Sequence, residues 1–521
     1  MDDLYITPSI PYVNGSPHLG HALELVHVDV LARHRRLRGA AVRVQSGTDD
    51  HALKNVSAAT RADLSVRELV ARNGDRFLDL VGALGVRTDE FVRTSTDPRH
   101  APGVAALWEA CRQAGDLYQK DYTGLYCPGC EQFYTADELD DGRCSEHLTP
   151  VQEVTETNWF FRLSRYREQV AALVASGEVT VEPRPRRNEV LGFLAGDVHD
   201  ISVSRPAARA EGWGVRVPGD SSQVVYVWFD ALASYLTGLG YGSETSPAGA
   251  ADGGAGSDDS VHRVSAVARW WAGSDERTHV LGKGIARFHA VYWVAFLLSA
   301  RLPLPTRVLV HDYLTVDGAK IAKSGSQAAD PGAVASVYGA DALRWWLVRD
   351  PAPVGTTDFT TARLVGCYDR DLANGLGNLT SRTLTLSRRE RAWPAVPAAR
   401  AEDLGEVGQA LRAAVGSLPS AVDAALLRYD LRGACEAITG VVEQGNRFIE
   451  DEAPWRLARA ADAGDAPAAA RFEVVVGVLH DLCRAAAEEL GPFVPDGARR
   501  VLEQLEAPGG PVVPAFPRLA L

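Results

Sequence analysis

A short apolar-rich stretch at the start of the chain gives way, after a Gly/Pro loop, to apolar residues at helical spacing. Tyr5-Ile6-Thr7-Pro8-Ser9-Ile10 reads as a short strand, Gly15-Ser16-Pro17 as a loop, and Leu23 to Ala32 as a helix packed on one face, because its apolar residues recur at helical spacing. A second strand, Val42 to Ser46, runs into Gly47-Thr48-Asp49. Strand, glycine-containing loop and helix form the phosphate-binding unit of doubly wound folds, so both segments are expected to deliver residues to the carboxyl edge of one parallel sheet. The region 115–226 interrupts this pattern with a cysteine cluster and mixed short elements. The sheet is expected to resume with Val224-Val225-Tyr226-Val227-Trp228, His279-Val280-Leu281 and Arg307-Val308-Leu309-Val310. Ser246 to Ser260, rich in Ala, Gly, Ser and Asp, reads as a surface loop. From 361 onward the spacing of Leu411, Ala414, Val415 and Leu418 predicts a helix bundle, followed by an irregular Pro-rich tail after Ala507. No internal repeat is visible.

With 521 residues the chain exceeds one ordinary core and implies two or three domains. Hydrophobic residues at 46% and charged residues at 23% are those of a soluble globular protein. No apolar run is expected to span a membrane, and Met1-Asp2-Asp3-Leu4-Tyr5 is acidic rather than a basic signal, so a cytoplasmic location is expected. The net charge of −13 argues against indiscriminate nucleic-acid binding. It leaves room for local basic patches at Arg33 to Arg38, Arg184-Pro185-Arg186-Arg187 and Arg388-Arg389-Glu390-Arg391.

Two histidines, His18 and His21, stand one helical turn apart behind the Gly/Pro loop, with Gly20 between them. Two imidazoles at a helix start can meet the phosphates of a nucleotide, and Gly20 would let it lie close to the backbone. Far downstream, Lys320-Ile321-Ala322-Lys323-Ser324 could close over the same phosphates, with Gly318 and Gly325 giving the loop freedom to move. The pair implies an ATP site, against the alternative of solvated surface lysines. Cys127-Pro128-Gly129-Cys130 and Cys144-Ser145-Glu146-His147 form a CxxC…CxxH set among seven cysteines. Two ligand pairs on tight turns suit a tetrahedral zinc ion, and four protein ligands leave no open position, so the zinc reads as structural. Cys111, Cys367, Cys435 and Cys483 read as buried or incidental.

These motifs, together with Gly47-Thr48-Asp49-Asp50-His51, Tyr226 to Ala231, Gly282-Lys283, Phe288-His289, and Asn446…Pro454-Trp455 in this order, resemble the "HIGH" and "KMSKS" class I aminoacyl-tRNA synthetases, and within them the methionyl enzymes. The resemblance covers nearly the whole chain. It implies an α/β Rossmann-like catalytic domain at 1–114 and 227–305, a connective insertion with a zinc knuckle at 115–226, a lysine-loop region at 306–360, an all-α anticodon-binding bundle at 361–506 and a tail at 507–521. It further implies adenylation of methionine by ATP with Mg2+ and transfer to methionine tRNA, and with no appended dimerisation domain expected after the bundle, a monomer is expected. By the same resemblance His18, His21, Lys320 and Lys323 are catalytic, with Gly20 and Ser324 also at ATP. Asp49 would take the substrate ammonium, unless it caps the next helix. Ile10, Tyr12, Trp228, Ala231, Leu232, Tyr235, Ile285 and His289 would line the side-chain pocket, and Asn446 and Trp455 would read the anticodon, unless Trp455 is a packing anchor. The sequence departs from the family at Ile321-Ala322, Ala52, Gly284 and Asp312. Those departures keep open an enzyme that passes the activated amino acid to a small molecule, as in hydrazine formation, and a non-catalytic RNA-binding relative.

Overall fold

The computed structural model describes residues 3–127, 132–134, 139–144, 149–243, 265–320, 330–387, 405–507 and 511–520, without the side chains of 132, 133, 319 and 320. Its contacts divide the chain into two compact units: 1–17, 38–82 and 87–311 form the first, and 18–37, 83–86 and 312–521 the second.

At the centre of the first unit lies a six-stranded parallel sheet, in the order Glu90–Arg93, Val42–Thr48, Leu4–Pro8, Glu276–Gly282, Arg307–His311, Thr180–Glu182. Every residue of Leu4–Pro8 is buried, as a central parallel strand covered on both faces requires. The order in which strands are added reverses on either side of Leu4–Pro8, and ligands collect at the carboxyl edge of such a switch point. Glycine at 47 is obligatory there, because a Cβ would run into the Val92 carbonyl of the neighbouring strand.

Two expectations about this sheet fail. Val224 and Val225 belong to Asp220–Val225, which pairs antiparallel with Ser204–Pro206 in a separate three-stranded sheet, and Val227–Thr237 is a helix. A short apolar run has no period with which to separate a strand from a buried helix start. Conversely, Thr180–Glu182, inside the interrupting region, supplies the edge strand beside Arg307–His311. Otherwise that region carries a four-stranded antiparallel sheet built on Leu117–Cys127 and Gln152–Phe161. The Ser246 to Ser260 loop and the Arg388 to Arg391 patch lie outside the described residues.

In the second unit, Leu19–Leu37 is not exposed along its polar face as its spacing predicts. Glu24, His27, Asp29 and His34 are buried together with its apolar residues. Asp29 is gripped by Arg33 and by Arg344, both at 2.7 Å. His27 meets the Tyr429 hydroxyl at 2.7 Å, and His34 meets Asp423 at 2.7 Å. Arg344 is fully buried and also donates to the carbonyls of Leu84, Pro492 and Phe493. The remaining helices include Gly405–Leu427, Leu431–Glu452, Pro454–Asp462 and Ala466–Leu490, as the helical spacing predicts. Asp430 and Asp465 cap two of them through side-chain acceptors. Contrary to expectation, Gly405–Leu427 is long and apolar enough to span a membrane by length and composition, with a mean hydropathy of 1.3 in its best window. Its Ala-rich sequence accounts for that value, and its buried residues, among them Leu411, Leu418 and Val422, form a stripe packed within the bundle. No regular element follows Glu506 among the described residues, but Phe516 in the tail is buried against Gly377 and Gly497.

Candidate functional site

The amino-acid end of the expected site is assembled in the first unit from the carboxyl edge of the sheet. Ile10 and Tyr12 follow Leu4–Pro8, Asp49 follows Val42–Thr48, and Ile285 and His289 follow Glu276–Gly282. The Val227–Thr237 helix supplies Trp228, Ala231, Leu232 and Tyr235, which at this spacing share one helical face. Tyr12 bridges to Asp49 in backbone pairing, and the Asp49 N–H donates to the Pro11 carbonyl at 2.9 Å. Trp228 stacks on Phe288 at 3.3 Å between ring centroids and stands edge-on to Tyr12. The helix after Asp49 begins at Leu53 with Ala52 at its cap position and no side-chain cap bond, so Asp49 is not the cap.

Two buried histidines at this edge are held in neutral hydrogen-bonded pairs. Burial holds His289 down at about 4. Its Nδ1 donates to the Ile285 carbonyl at 3.0 Å, which leaves Nε2 to accept the Tyr235 hydroxyl at 2.8 Å. Burial likewise pushes His279 well below its usual range, and its Nε2 accepts the Trp293 indole N–H at 3.2 Å. A site walled by aromatic rings and uncharged imidazoles suits a neutral, polarisable side chain such as a thioether. The buried indole N–H of Trp228 has no acceptor among the described residues, which favours a polar group of a ligand beside it.

The histidine pair belongs to the second unit. His18 precedes the Leu19–Leu37 helix and His21 lies in its first turn, their rings stacked at 3.7 Å. The His18 N–H donates to Nδ1 of His21 at 3.0 Å, and the Gly20 N–H donates to Nδ1 of His18 at 3.2 Å. Each neutral ring therefore carries its proton on Nε2, the state required of a donor to phosphate oxygen. Gly20 also leaves room for the His18 ring, since a Cβ there would press on that ring at 3.0 Å.

Lys320 ends a hairpin in which Leu314–Val316 pairs with Ala319–Lys320. Asp358 pins it by accepting from Thr315 at 2.7 Å and from the Gly318 N–H at 2.8 Å. Lys323 and Ser324 lie outside the described residues, and after them Asp330 caps the Pro331–Tyr338 helix. Of the expected zinc ligands, Cys127 and Cys144 are fully buried thiols outside any disulfide, while Cys130 and His147 lie outside the described residues. Cys127 ends the Leu117–Cys127 strand and Cys144 follows the Asp141-Gly142 turn, and buried thiols are ligands of the type a structural zinc takes. Asn446 returns its amide to the Val442 carbonyl at 3.1 Å, and Trp455 is half-buried at the start of the next helix. The expected patch at Arg184 to Arg187 is largely spent: Arg186 pairs with Glu189, and Arg187 donates to the Val174 and Ala175 carbonyls.

Two of the departures have local partners, one is exposed, and Ile321-Ala322 lies outside the described residues. Ala52 is completely buried against Tyr226 and Val227, Asp312 accepts from the Gly355 N–H at 2.8 Å, and Gly284 is exposed in a single 3-10 turn. Sequence reasoning missed Arg382, whose guanidinium stands 5.6 Å from the Trp455 ring centroid, and Arg205, which lines a small cavity with His51, Trp213 and Tyr226. It also missed His100, which meets Asp230 at 2.9 Å. None sits in a spacing that marks it.

The family model described as tRNA synthetases class I (M) matches residues 4–148 and 134–384. A methionine–tRNA ligase of Brucella suis biovar 1 is 35% identical over 512 residues, covering 97% of this chain and 92% of its own. One of Synechocystis is 36% identical over 502 residues, covering 96% and 89%. The solved structure of a Mycobacterium tuberculosis methionyl-tRNA synthetase in complex with methionyl-adenylate matches with a TM-score of 0.85 at 32% identity, over 99% of this chain and 100% of that one.

Proposed function

Because the chain belongs to the class I tRNA synthetases of the M family, we propose that it activates methionine with ATP and transfers the methionyl group to methionine tRNA. The observation that carries this reading is the pair of Nε2-protonated imidazoles fixed by backbone donors, in a chain whose relatives of nearly full length are methionine–tRNA ligases. In the reaction the methionine carboxylate attacks the α-phosphorus of ATP, a P–O bond to pyrophosphate breaks, and methionyl-adenylate forms. A ribose hydroxyl of the tRNA 3′ end then displaces AMP. The protein's part is orientation and charge stabilisation. His18 and His21 donate to phosphate oxygens, Lys320 and Lys323 offset the charge growing on pyrophosphate, and Ser324 and Gly20 belong to the same ATP contacts. Asp49 holds the substrate ammonium, and Ile10, Tyr12, Trp228, Ala231, Leu232, Tyr235, Ile285 and His289 enclose the thioether. Mg2+ arrives with ATP.

Cys127, Cys130, Cys144 and His147 would hold zinc, which supplies no reaction step and ties the insertion's turns together. The purified chain is expected to carry one zinc by plasma mass spectrometry and Cys144→Ser to lose it, with pyrophosphate exchange falling less than zinc content. Asn446 and Trp455 are assigned to anticodon bases, with Arg382 beside the indole as an added phosphate or base contact. The segments 1–114, 115–226, 227–305, 306–360 and 361–506 are assigned as the two catalytic halves around the insertion, the lysine-loop region and the anticodon bundle, in a cytoplasmic monomer.

Exchange of labelled pyrophosphate into ATP, measured with each standard amino acid, is expected to respond to methionine alone, and methionine tRNA to be charged. Methionine-dependent exchange without charging would leave the small-molecule acceptor as the destination. Exchange with another amino acid would sink the assignment of substrate.

A further inference from the structure

Asp230 lies on the Val227–Thr237 helix, rotated away from the face shared by Trp228, Ala231, Leu232 and Tyr235, and it is fully buried. Each of its oxygens meets one imidazole: Oδ2 faces Nδ1 of His51 at 2.7 Å and Oδ1 faces Nε2 of His100 at 2.9 Å. His100, itself fully buried, turns its other nitrogen to the Thr237 hydroxyl at 2.9 Å, two turns along the same face of that helix. One carboxylate thus joins three segments: the Asp49–His51 loop, the start of the His100–Gln113 helix, and the helix bearing four pocket residues. The loop is fixed by other polar ties as well. Asn55 caps the carbonyls of Asp49 and Asp50 at 3.0 and 2.8 Å, Trp213 donates to the Asp50 carbonyl at 2.7 Å, and Ser95 and Thr94 bond Asp50.

These three side chains could also be taken for metal ligands. The spacing opposes it: two ligands of a tetrahedral ion at about 2.1 Å stand about 3.4 Å apart. The observed 2.7 and 2.9 Å are hydrogen-bond lengths, with the ring N–H pointing at the carboxylate.

We propose that His51, Asp230 and His100 form a positioning device for the amino-acid substrate, locking the Asp49 loop to the helix that carries the pocket so that they set amino-acid affinity rather than turnover. This rests on the reading of that pocket as the methionine site. Each oxygen of this buried carboxylate is met by an imidazole N–H, and a further proton on His51 would add the compensating charge at this depth. His51 is the accessible one. Burial works against its charge, but the adjoining Asp230 carboxylate outweighs it, with Asp50 adding and Arg67 subtracting, and its pKa is raised. The groups facing it are Asp230 and His100, Trp213 edge-on with the Arg67 guanidinium over that indole, and Arg205, Tyr126 and Tyr226 across the small cavity. A raised folded-state pKa means that the pair contributes fully below the unfolded value of about 6.5 and fades as pH rises through the folded one.

The test is pyrophosphate exchange by wild type, Asp230→Asn and His100→Gln across about pH 6 to 9, with methionine and ATP varied separately. Loss of a charged hydrogen-bonded pair is expected to raise the methionine KM of Asp230→Asn about 10- to 100-fold, leaving kcat and the ATP KM within about threefold. The rise of methionine KM at alkaline pH in wild type is expected to vanish in Asp230→Asn, and His100→Gln to show a smaller increase with that rise retained. An unchanged methionine KM in Asp230→Asn, or equal losses against both substrates, would overturn the proposal. Should Asp230→Asn fail to fold, imidazole 15N spectra of wild type decide: a His51 that holds its Nδ1 proton and titrates above the ordinary histidine range supports the device, and one that titrates at or below that range overturns it. Absence of methionine-dependent exchange in wild type would instead sink the functional reading, and the spectra would still report on the pair.

Discussion

His21→Ala is expected to slow methionine-dependent pyrophosphate exchange by about 100- to 1,000-fold in kcat, the usual loss when one preorganised donor to a reacting oxygen is removed. The size follows from how the ring is held. Its Nδ1 is occupied by the His18 backbone N–H, so the tautomer with Nε2–H is set before substrate arrives and no reorganisation is needed as charge builds on the phosphates. His21→Asn retains a side-chain amide donor in a shorter frame and is expected to recover part of the loss. Because the proposed role of the ring is at ATP and not at the amino acid, the methionine KM is expected to stay within about threefold. Stopped exchange with intact ATP binding, read by equilibrium titration, separates lost transition-state contact from lost affinity. Full activity in His21→Ala would remove the histidine pair from the chemistry.

Arg344→Met is expected to destabilise the second unit by about 3–5 kcal/mol, the range for breaking a buried ion pair from one side. Arg344 and Asp29 are both fully buried at 2.7 Å, and three backbone carbonyls lose their donor in the same substitution. Arg33 keeps one bond to Asp29, which places the expected value toward the lower end of that range. Urea unfolding followed by tryptophan fluorescence would report it, since Trp345 and Trp346 adjoin the lost side chain and are both buried. The double variant Asp29→Leu/Arg344→Met removes both charges and is expected to regain part of the loss, leaving the three carbonyls as the residual cost. A single variant as stable as wild type would mean that these groups are solvated.

Different physical signals made different parts of this molecule readable. Strands at the carboxyl edge were legible because short β-prone stretches run straight into glycine-containing turns, as at Val42–Thr48, where Val42 and Val44 alternate with Arg43 and Gln45 ahead of Gly47. Val224-Val225 carried the same signal into the wrong sheet, since pairing partners are a property of the whole chain and Ser204–Pro206 is too short to advertise itself. The histidine pair was legible as spacing, but its tautomer was not, since that depends on backbone N–H groups that have no side-chain signature. Asp230 illustrates the gap: it was visible inside a motif, yet its partner His100 stands 130 residues away. The polar face of Leu19–Leu37 was misread for a related reason. Its His27, Asp29 and His34 are answered by Tyr429, Arg344 and Asp423, and a local window cannot see a partner that far along the chain.

That same helix limits how the protein can be taken apart. Residues 18–37 are counted with 312–521, not with the strands that flank them in sequence. A fragment ending at His311 would keep both histidines on paper and lose the surface that buries Glu24, His27, Asp29 and His34. With His18 and His21 assigned to ATP as proposed, the adenylating machinery is not a contiguous module that could be excised or grafted, and a chimaera that exchanged the C-terminal helices would have to carry the matching Leu19–Leu37 segment with them.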